Sequence, residues 1–220
     1  MGQVTLSFDN GPDPEVTPLV LKALARRGIR SSFFVVGNKV AQPGGLDLAR
    51  EAAAEGHWIG NHTFSHDPPL GPRSSPTLAE EEIGRTQALI GELSHPDRLF
   101  RPSGTKGALD HRMLDRTCLQ ALIDGHYSCV LWHSVPGDLW PAKDWVANAA
   151  GAIGERDWTL LVLHDIRNGC IARLEEFLDR LAGEGIAIRQ DFPPDCMPIV
   201  RGEVLQDMSA YVHPPGGAAG

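Results

Sequence analysis

The sequence has little of several features that mark particular classes of protein. Its four cysteines include no Cys-x-x-Cys pair, which argues against a structural zinc site built on that spacing. Lys and Arg together number 20 and Asp and Glu number 28, so the net charge is −8. A chain this acidic is not expected to bind nucleic acid or an anionic membrane, because both attract clustered positive charge.

Long apolar runs are also missing, and no basic segment followed by an apolar one opens the sequence. The sequence therefore predicts neither a secretory signal peptide nor a transmembrane helix, and we expect a cytoplasmic protein. Aromatic residues make up 6% of the chain, which leaves few stacking platforms for a long glycan. The sequence gives no indication of an oligomeric state.

Strand-like and helix-like segments alternate along the 220 residues. We predict strands near residues 4–8, 31–36, 57–60, 99–101, 128–133, 159–164 and 186–189. We predict helices near residues 14–27, 46–55, 78–93, 109–124, 143–156 and 171–183. This alternation indicates parallel strands joined by right-handed crossovers, although periodicity does not distinguish a barrel from an open sheet. Residues 1–212 are predicted to form one domain, and residues 213–220, rich in Gly, Pro and Ala, a flexible tail.

The stretch 61–66 reads Asn-His-Thr-Phe-Ser-His and is the most informative part of the sequence. Its two histidines, four residues apart, would place both imidazoles on one side of a helical turn, close enough to hold one metal ion. A catalytic metal also needs an oxygen ligand and an open coordination position. The best source of that oxygen is the stretch 7–12, where an apolar alternation runs into Asp9 and Asn10. Taken alone, the histidine pair is more often a surface or capping feature.

Several polar side chains follow the C-terminal ends of different predicted strands: Asp9, His62, Arg101, Asp138 and His164. Parallel β/α proteins build their active sites at that end of the strands. We therefore expect these side chains to share one face of the molecule. Each of them also has an ordinary interpretation as a turn cap, an ion-pair partner or a core residue, and His133, which ends a strand on the same side, is left undecided.

Five segments in order resemble the polysaccharide deacetylase family (carbohydrate esterase family 4). They are residues 8–12 (Phe-Asp-Asn-Gly-Pro), 32–37, 61–66, 100–102 and 161–165 (Leu-Val-Leu-His-Asp), with Trp132, Asp138 and Trp140 before the last. The resemblance covers roughly residues 4 to 165. It implies a distorted (β/α)7 barrel in a single domain and a hydrolase that cleaves a carbon–nitrogen bond.

The resemblance also implies roles for the residues that match the family's motifs. Asp9 matches the catalytic base, and Arg101 matches the residue that pairs with it. His164 matches the general acid, and Asp138 matches the carboxylate that orients it and favours its charged form. The predicted substrate-binding residues are Trp140 and Leu161, which would line the pocket for the acyl group, with Ser103 and Gly104 beside it.

The implied cofactor is a divalent metal, with zinc first and cobalt or nickel as alternatives. His62 and His66 match its two imidazole ligands. Asn10 stands where the family has a carboxylate ligand, so metal affinity is expected to fall while a bound water becomes more acidic. The family's Pro-Tyr pair before the glycine is absent at Ser103-Gly104, which leaves the oxyanion donor unassigned.

Three functions are compatible with these residues. The leading hypothesis is a metal-dependent N-deacetylase or deformylase acting on a soluble N-acyl amino sugar or a similar small amide. Because Asn10 replaces a charged ligand, the second hypothesis is a metal-independent, allantoinase-like amidohydrolase. A non-catalytic carbohydrate-binding relative is the third, although a pure binding protein has no need of both a base and an acid.

Overall fold

The computed structural model describes residues 2–66, 69–73, 75–140 and 144–214. The strands are β1 Gln3–Asp9, β2 Ser32–Val35, β3 Trp58–Asn61, β4 Leu99–Phe100, β5 Ser128–Cys129, β6 Trp158–His164, β7 Ala187–Arg189, β8 Ile199–Val200 and β9 Glu203–Val204. The helices are α1 Thr17–Ala25, α2 Gly37–Val40, α3 Gly45–Ala54, α4 Arg85–Ile90, α5 Arg116–Asp124, α6 Trp145–Gly154 and α7 Leu174–Gly183. A π-helix, Glu80–Gly84, directly precedes α4.

Strands β1 to β6 form a parallel sheet in the order β6-β1-β2-β3-β4-β5. The segment that follows β5 turns back onto β6, where Ser134 bridges Leu161. The amide of Val162 donates to the carbonyl of Ser134 at 3.0 Å. These contacts join the two ends of the sheet, which curls into a distorted (β/α)7 barrel. The predicted fold class is therefore confirmed.

The seventh predicted strand is present but lies outside this ring. β7 pairs with Gln3 to Thr5 of β1, whereas β2 pairs with Ser7 to Asp9 of the same strand. The antiparallel strands β8 and β9, which extend the sheet beyond β5, were not predicted. Two residues are too few to show the alternation by which a strand is recognised.

Side-chain alternation on β1 and β6 separates two cores. Val4, Leu6 and Phe8 of β1 pack with Leu161 and Leu163 of β6 in the cluster that also holds apolar residues of α1, α6 and α7. The intervening residues of each strand face the inside of the barrel, where Leu160 and Val162 join a second cluster. Asp9 and His164 continue that inward series and are register partners on adjacent strands. The fold therefore delivers both side chains to the same end of the barrel.

Five of the six predicted helices begin later than expected or change type. The helix predicted from residue 109 starts at Arg116, because the carboxylate of Asp115 caps it by accepting the amide of Cys118 at 2.7 Å. α6 starts at Trp145 after Asp144, and residue 143 lies outside the described residues. The single helix predicted over residues 78–93 contains the π-helix, α4 and a short 3-10 turn.

Two further expectations concern the ends and the surface of the chain. The predicted tail lies outside the described residues from 215 onward, and the domain boundary at residue 212 stays a prediction. No helix in the described ranges combines the length and apolar character required to cross a bilayer. The four cysteines are free and buried.

Candidate active site

A cavity of about 200 Å³ opens at the C-terminal ends of the parallel strands. Its lining includes the predicted site residues Asp9, Asn10, His62, His66, Gly104, Trp140 and His164. It also includes Lys106, Gly107, Trp132, Val135, Leu139 and Val162. Pockets that enclose a whole drug-sized ligand measure roughly 300–1,000 Å³. This cavity therefore has room for one small group of a substrate, such as an acyl arm.

Arg101 fixes the carboxylate of Asp9 from beneath the cavity. Its fully buried guanidinium donates to Asp9 Oδ1 and to Ser7 Oγ, each at 2.7 Å. It also donates to the carbonyl of Val130 at 3.1 Å and lies 3.9 Å from the centre of the Phe34 ring. These contacts hold the guanidinium in one orientation inside the barrel. Its positive charge there balances the negative charge of Asp9. Asp9 Oδ2 is left toward His62, 3.5 Å from its Nε2.

His62 and His66 lie with their ring centres 4.8 Å apart, as the spacing suggested, but they do not lie on a helix. They belong to the loop after β3, in which Thr63 and His66 have left-handed backbone angles, φ 65° and 57°. His62 Nδ1 lies 2.8 Å from the carbonyl oxygen of Arg101. Nδ1 therefore carries the hydrogen that this contact requires, and the lone pair of Nε2 remains available.

Burial keeps both imidazoles of this pair neutral. It lowers the pKa of His66 to about 3 and also lowers the pKa of His62, whose burial outweighs the attraction of Asp9. A neutral imidazole is the form that binds a metal. Both side chains are thus ready to donate a lone pair at physiological pH.

Asn10 contributes an oxygen atom that lacks a hydrogen-bond partner among the described residues. Its backbone is left-handed, with φ 72°, a conformation that asparagine tolerates better than most residues. Its side-chain Oδ1 is buried without a hydrogen bond, and the residue lines the cavity. An unpaired buried acceptor is costly unless a ligand occupies it. Two imidazole lone pairs and this amide oxygen fit a divalent cation, and their ligation of a metal stays a prediction.

His164 is held by both oxygens of the buried Asp138 carboxylate. Asp138 Oδ1 lies 2.9 Å from His164 Nδ1, and Oδ2 accepts the backbone amide of His164 at 2.8 Å. Burial alone would lower the pKa of His164, but the hydrogen bond and the charge of Asp138 more than offset it. The pKa therefore lies above its ordinary value, which suits a proton donor at neutral pH.

Asp165 supports the turn that carries Asp9 and Asn10. Its Oδ2 accepts from the Thr17 hydroxyl at 2.6 Å, and its Oδ1 is buried without a partner. A side chain at Gly11 would overlap this carboxyl group, so only glycine fits there. Burial raises the pKa of Asp165 to about 7. The importance of this residue was not recognised from the sequence.

Two of the predicted substrate residues do not reach the cavity. Leu161 lies on the outer face of β6, within the core between sheet and helices, and its inward neighbour Val162 lines the cavity instead. Counting the alternation back from His164 would have indicated Val162. Ser103 is buried, and its hydroxyl has no hydrogen-bond partner within the described part of the chain.

A tight turn that the sequence analysis did not single out forms one wall of the cavity. Ala108 donates to the carbonyl of Thr105 at 3.0 Å, and the two central residues, Lys106 and Gly107, have φ 52° and 80°. Trp132 Nε1 anchors the turn by donating to the carbonyl of Gly107 at 3.0 Å. Gly107, directly after a lysine, was the available signal for a turn.

His133, which the sequence left undecided, lies outside the cavity lining. Its ligand atoms and those of Asp195 and Cys196 come within 4.8 Å of one another. However, His133 Nδ1 accepts the amide of Leu160 at 3.0 Å, so Nε2 carries the hydrogen, facing Asp195 Oδ2 at 3.0 Å. Burial also raises the pKa of Cys196 to about 12. His133 therefore has no free lone pair for a metal, and Cys196 is not in the thiolate form that a metal requires.

Comparisons with known proteins agree with this geometry. A model of the family described as polysaccharide deacetylase matches residues 2–118. The peptidoglycan-N-acetylglucosamine deacetylase PgdA of Listeria monocytogenes is 27% identical over 189 residues, which cover 83% of this chain and 36% of that protein. This chain thus spans about a third of that relative's length.

Two further matches extend over most of both chains. A chitooligosaccharide deacetylase of Rhizobium leguminosarum bv. trifolii is 31% identical over 169 residues, with 76% of this chain and 72% of that protein covered. A solved structure of a family 4 acetyl xylan esterase from Clostridium thermocellum, in complex with a cobalt ion, has a TM-score of 0.68 and 25% identity. The alignment covers 86% of this chain and 87% of the esterase chain.

Proposed function

The chain belongs to the polysaccharide deacetylase family, and on that premise we propose that it hydrolyses the N-acyl amide of an amino sugar. The observation that carries the proposal is the pairing of a base and an acid at one cavity. Asp9 and His164 are register partners on adjacent strands, and each is fixed by a buried partner of opposite charge. The resulting site offers a proton acceptor and a proton donor around a space for one small group.

The proposed mechanism assigns each proton to a named atom. Asp9 Oδ2, the carboxylate oxygen not bound by Arg101, accepts a proton from the attacking water while the oxygen of that water bonds to the carbonyl carbon. His164 then donates a proton from Nε2 to the nitrogen as the carbon–nitrogen bond breaks, and Asp138 holds the imidazolium through Nδ1. The products are a carboxylic acid and a free amine. A divalent cation held by His62, His66 and Asn10 would polarise the amide carbonyl and acidify the water.

Zinc is the proposed cation, with cobalt or nickel as alternatives, because imidazole nitrogen suits these metals better than magnesium. Cobalt is the ion named for the C. thermocellum esterase. The neutral oxygen of Asn10 favours weaker binding than a carboxylate ligand would give. For that reason hydrolysis without a metal, as in allantoinase-like relatives, is kept as the second candidate.

The proposed substrate is a short, soluble N-acetyl or N-formyl amino sugar. The cavity of about 200 Å³ accommodates an acyl arm, and relatives are named for deacetylation of peptidoglycan and of chitooligosaccharides. The proposed partners are therefore small or short carbohydrates, without nucleic acid or membrane. The cytoplasmic location stays a prediction.

Release of acetate or formate from matched substrates tests the proposal. Protein reconstituted with zinc or cobalt, and protein treated with chelator, would be assayed on N-acetylglucosamine, N-formylglucosamine, chitooligosaccharides, chitin and peptidoglycan. We expect the short soluble substrates to react fastest and only with metal present. Asp9→Asn is the matched control, which should lose most of the rate and keep its metal.

Each alternative has its own result in this assay. Equal rates with and without metal would favour the metal-independent candidate. Faster release from the polymers would contradict the proposed substrate size. Binding of chitooligosaccharides without any release from any substrate would contradict hydrolysis and favour a binding protein.

A further inference from the structure

A single buried carboxylate binds the loop that carries His66. Glu82 is 3% exposed, and its Oε2 accepts the backbone amides of Phe64 and Ser65 at 3.1 and 2.9 Å. Its Oε1 accepts the Ser65 hydroxyl at 2.8 Å and the Arg73 guanidinium at 2.6 Å. Every one of these groups is a donor, so the site requires a side chain that only accepts.

The loop needs such support because its backbone is strained at both ends. Thr63 and His66, which flank the two amides bound by Glu82, have left-handed φ angles. For residues other than glycine this conformation costs free energy and persists only where the surroundings enforce it. Glu82 supplies that enforcement from the side of the loop away from the cavity, since it is absent from the cavity lining.

The helix that carries Glu82 is adapted to the same loop. Glu82 lies in the π-helix Glu80–Gly84, and π-helical turns occur frequently at functional sites. The carbonyl of the next residue, Ile83, accepts from the side chain of Asn61 at 2.9 Å, while Asn61 Oδ1 accepts the amide of Thr63 at 3.0 Å. The π-helix therefore binds the His62–His66 loop at its beginning and at its middle.

We propose that Glu82 is a positioning residue that places His66 beside His62 and thereby sets the affinity of the site for a divalent metal. The inference rests on the proposed function, because it concerns the same metal site. Glu82 acts through the backbone of residues 64 and 65 and contacts neither the cavity nor the reacting atoms. Ser65 is the intermediary, since both its amide and its hydroxyl bind the carboxylate.

Cobalt titration of the metal-free full chain, followed by absorbance, tests this role. Glu82→Gln keeps the size of the side chain but turns an amide group toward the donors. Loss of an outer partner of a metal ligand typically weakens affinity by about 10–100-fold, and we expect a loss in that range. Glu80→Gln, on the same π-helix but exposed, is the matched control for loss of one negative charge and should bind cobalt as the wild type does.

A second variant, Ser65→Ala, keeps the test decisive if Glu82→Gln folds poorly, and hydrogen exchange adds a measurement that needs no metal. Ser65→Ala removes one of the four hydrogen bonds and should weaken cobalt binding in the same direction but less. At saturating cobalt, Ser65→Ala should keep kcat close to the wild-type value, because Ser65 does not line the cavity. Hydrogen exchange at the amides of residues 64 and 65 should be faster in Glu82→Gln without metal, and unchanged in Glu80→Gln.

The outcomes separate this inference from the function on which it rests. Wild-type affinity for cobalt in a folded Glu82→Gln, or in Ser65→Ala where Glu82→Gln does not fold, would overturn the positioning role and leave the proposed function standing. A wild-type protein that binds no cobalt would overturn this inference together with the metal-dependent form of the proposed function, and would leave the metal-independent candidate standing. Equal losses in Glu80→Gln and Glu82→Gln would assign the effect to charge alone and also overturn the positioning role.

Discussion

Replacement of Asp165 by asparagine is expected to change how the stability of the protein depends on pH. The carboxyl group is 1% exposed, accepts one hydrogen bond from Thr17, and has one oxygen without any partner. Burial is the main reason that its pKa is raised to about 7. In the unfolded chain the same group has a pKa of about 3.9.

The size and sign of the effect follow from these two pKa values. Between pH 4 and 7 the folded protein keeps a proton that the unfolded chain has released, so stability falls as pH rises through this window. The full stabilising contribution of protonated Asp165 is present below about pH 4 and is lost above about pH 7. A difference of about 3 between the pKa values corresponds to about 4 kcal/mol. About 2.5 kcal/mol of this loss falls between pH 5 and pH 8.

Urea unfolding of metal-free wild type and Asp165→Asn at pH 5 and pH 8 measures this loss directly. The free energy of unfolding of the wild type should fall between these pH values by about 2.5 kcal/mol more than that of Asp165→Asn, because asparagine has no proton to lose. Asp47→Asn is the control, since that carboxylate is exposed on α3 and its side chain is 76% accessible. If wild type and Asp165→Asn lose stability equally, the carboxyl group of Asp165 does not titrate as argued.

Two further predictions concern the acid and the metal. Asp138→Asn removes the hydrogen bond and the charge that raise the pKa of His164. The alkaline limb of the kcat–pH profile should therefore move to lower pH, and a limb that does not move would exclude His164 as the acid. Asn10→Asp should tighten cobalt binding by about tenfold, or about 1.4 kcal/mol, and His62→Ala should abolish it, as a cobalt titration would show. Unchanged or weaker binding in Asn10→Asp would mean that Asn10 is not a ligand.

The convergence of Asp9 and His164 was predictable because each follows an apolar alternation that ends in a polar residue. What the sequence did not contain was their register, which depends on hydrogen bonds between strands more than 150 positions apart. The closure of the barrel has the same origin, since it depends on the bridge between Ser134 and Leu161, which belong to separate segments. Local patterns therefore indicated the strands, and long-range pairing completed the barrel.

The supporting residues were harder to predict than the residues they support. Glu82 falls in the middle of one predicted helix, and apolar periodicity does not distinguish a π-helical turn from the α-helix around it. Asp165 directly follows His164 in the sequence, but its burial against Gly11 depends on the closeness of β1 and β6. The error at Leu161 was different in kind, because strand alternation alone assigns the inward position to Val162.

The charges around the cavity explain what an asparagine at position 10 does there. Arg101 balances Asp9 and the raised pKa of His164 balances Asp138, while Asp165 is half protonated near pH 7. A carboxylate at position 10 would add a further negative charge to these groups, which a bound metal would offset. A neutral asparagine would leave the charge of a bound cation uncompensated. If Asn10 is a metal ligand, as proposed, we expect both weaker binding of the cation and a more acidic water bound to it.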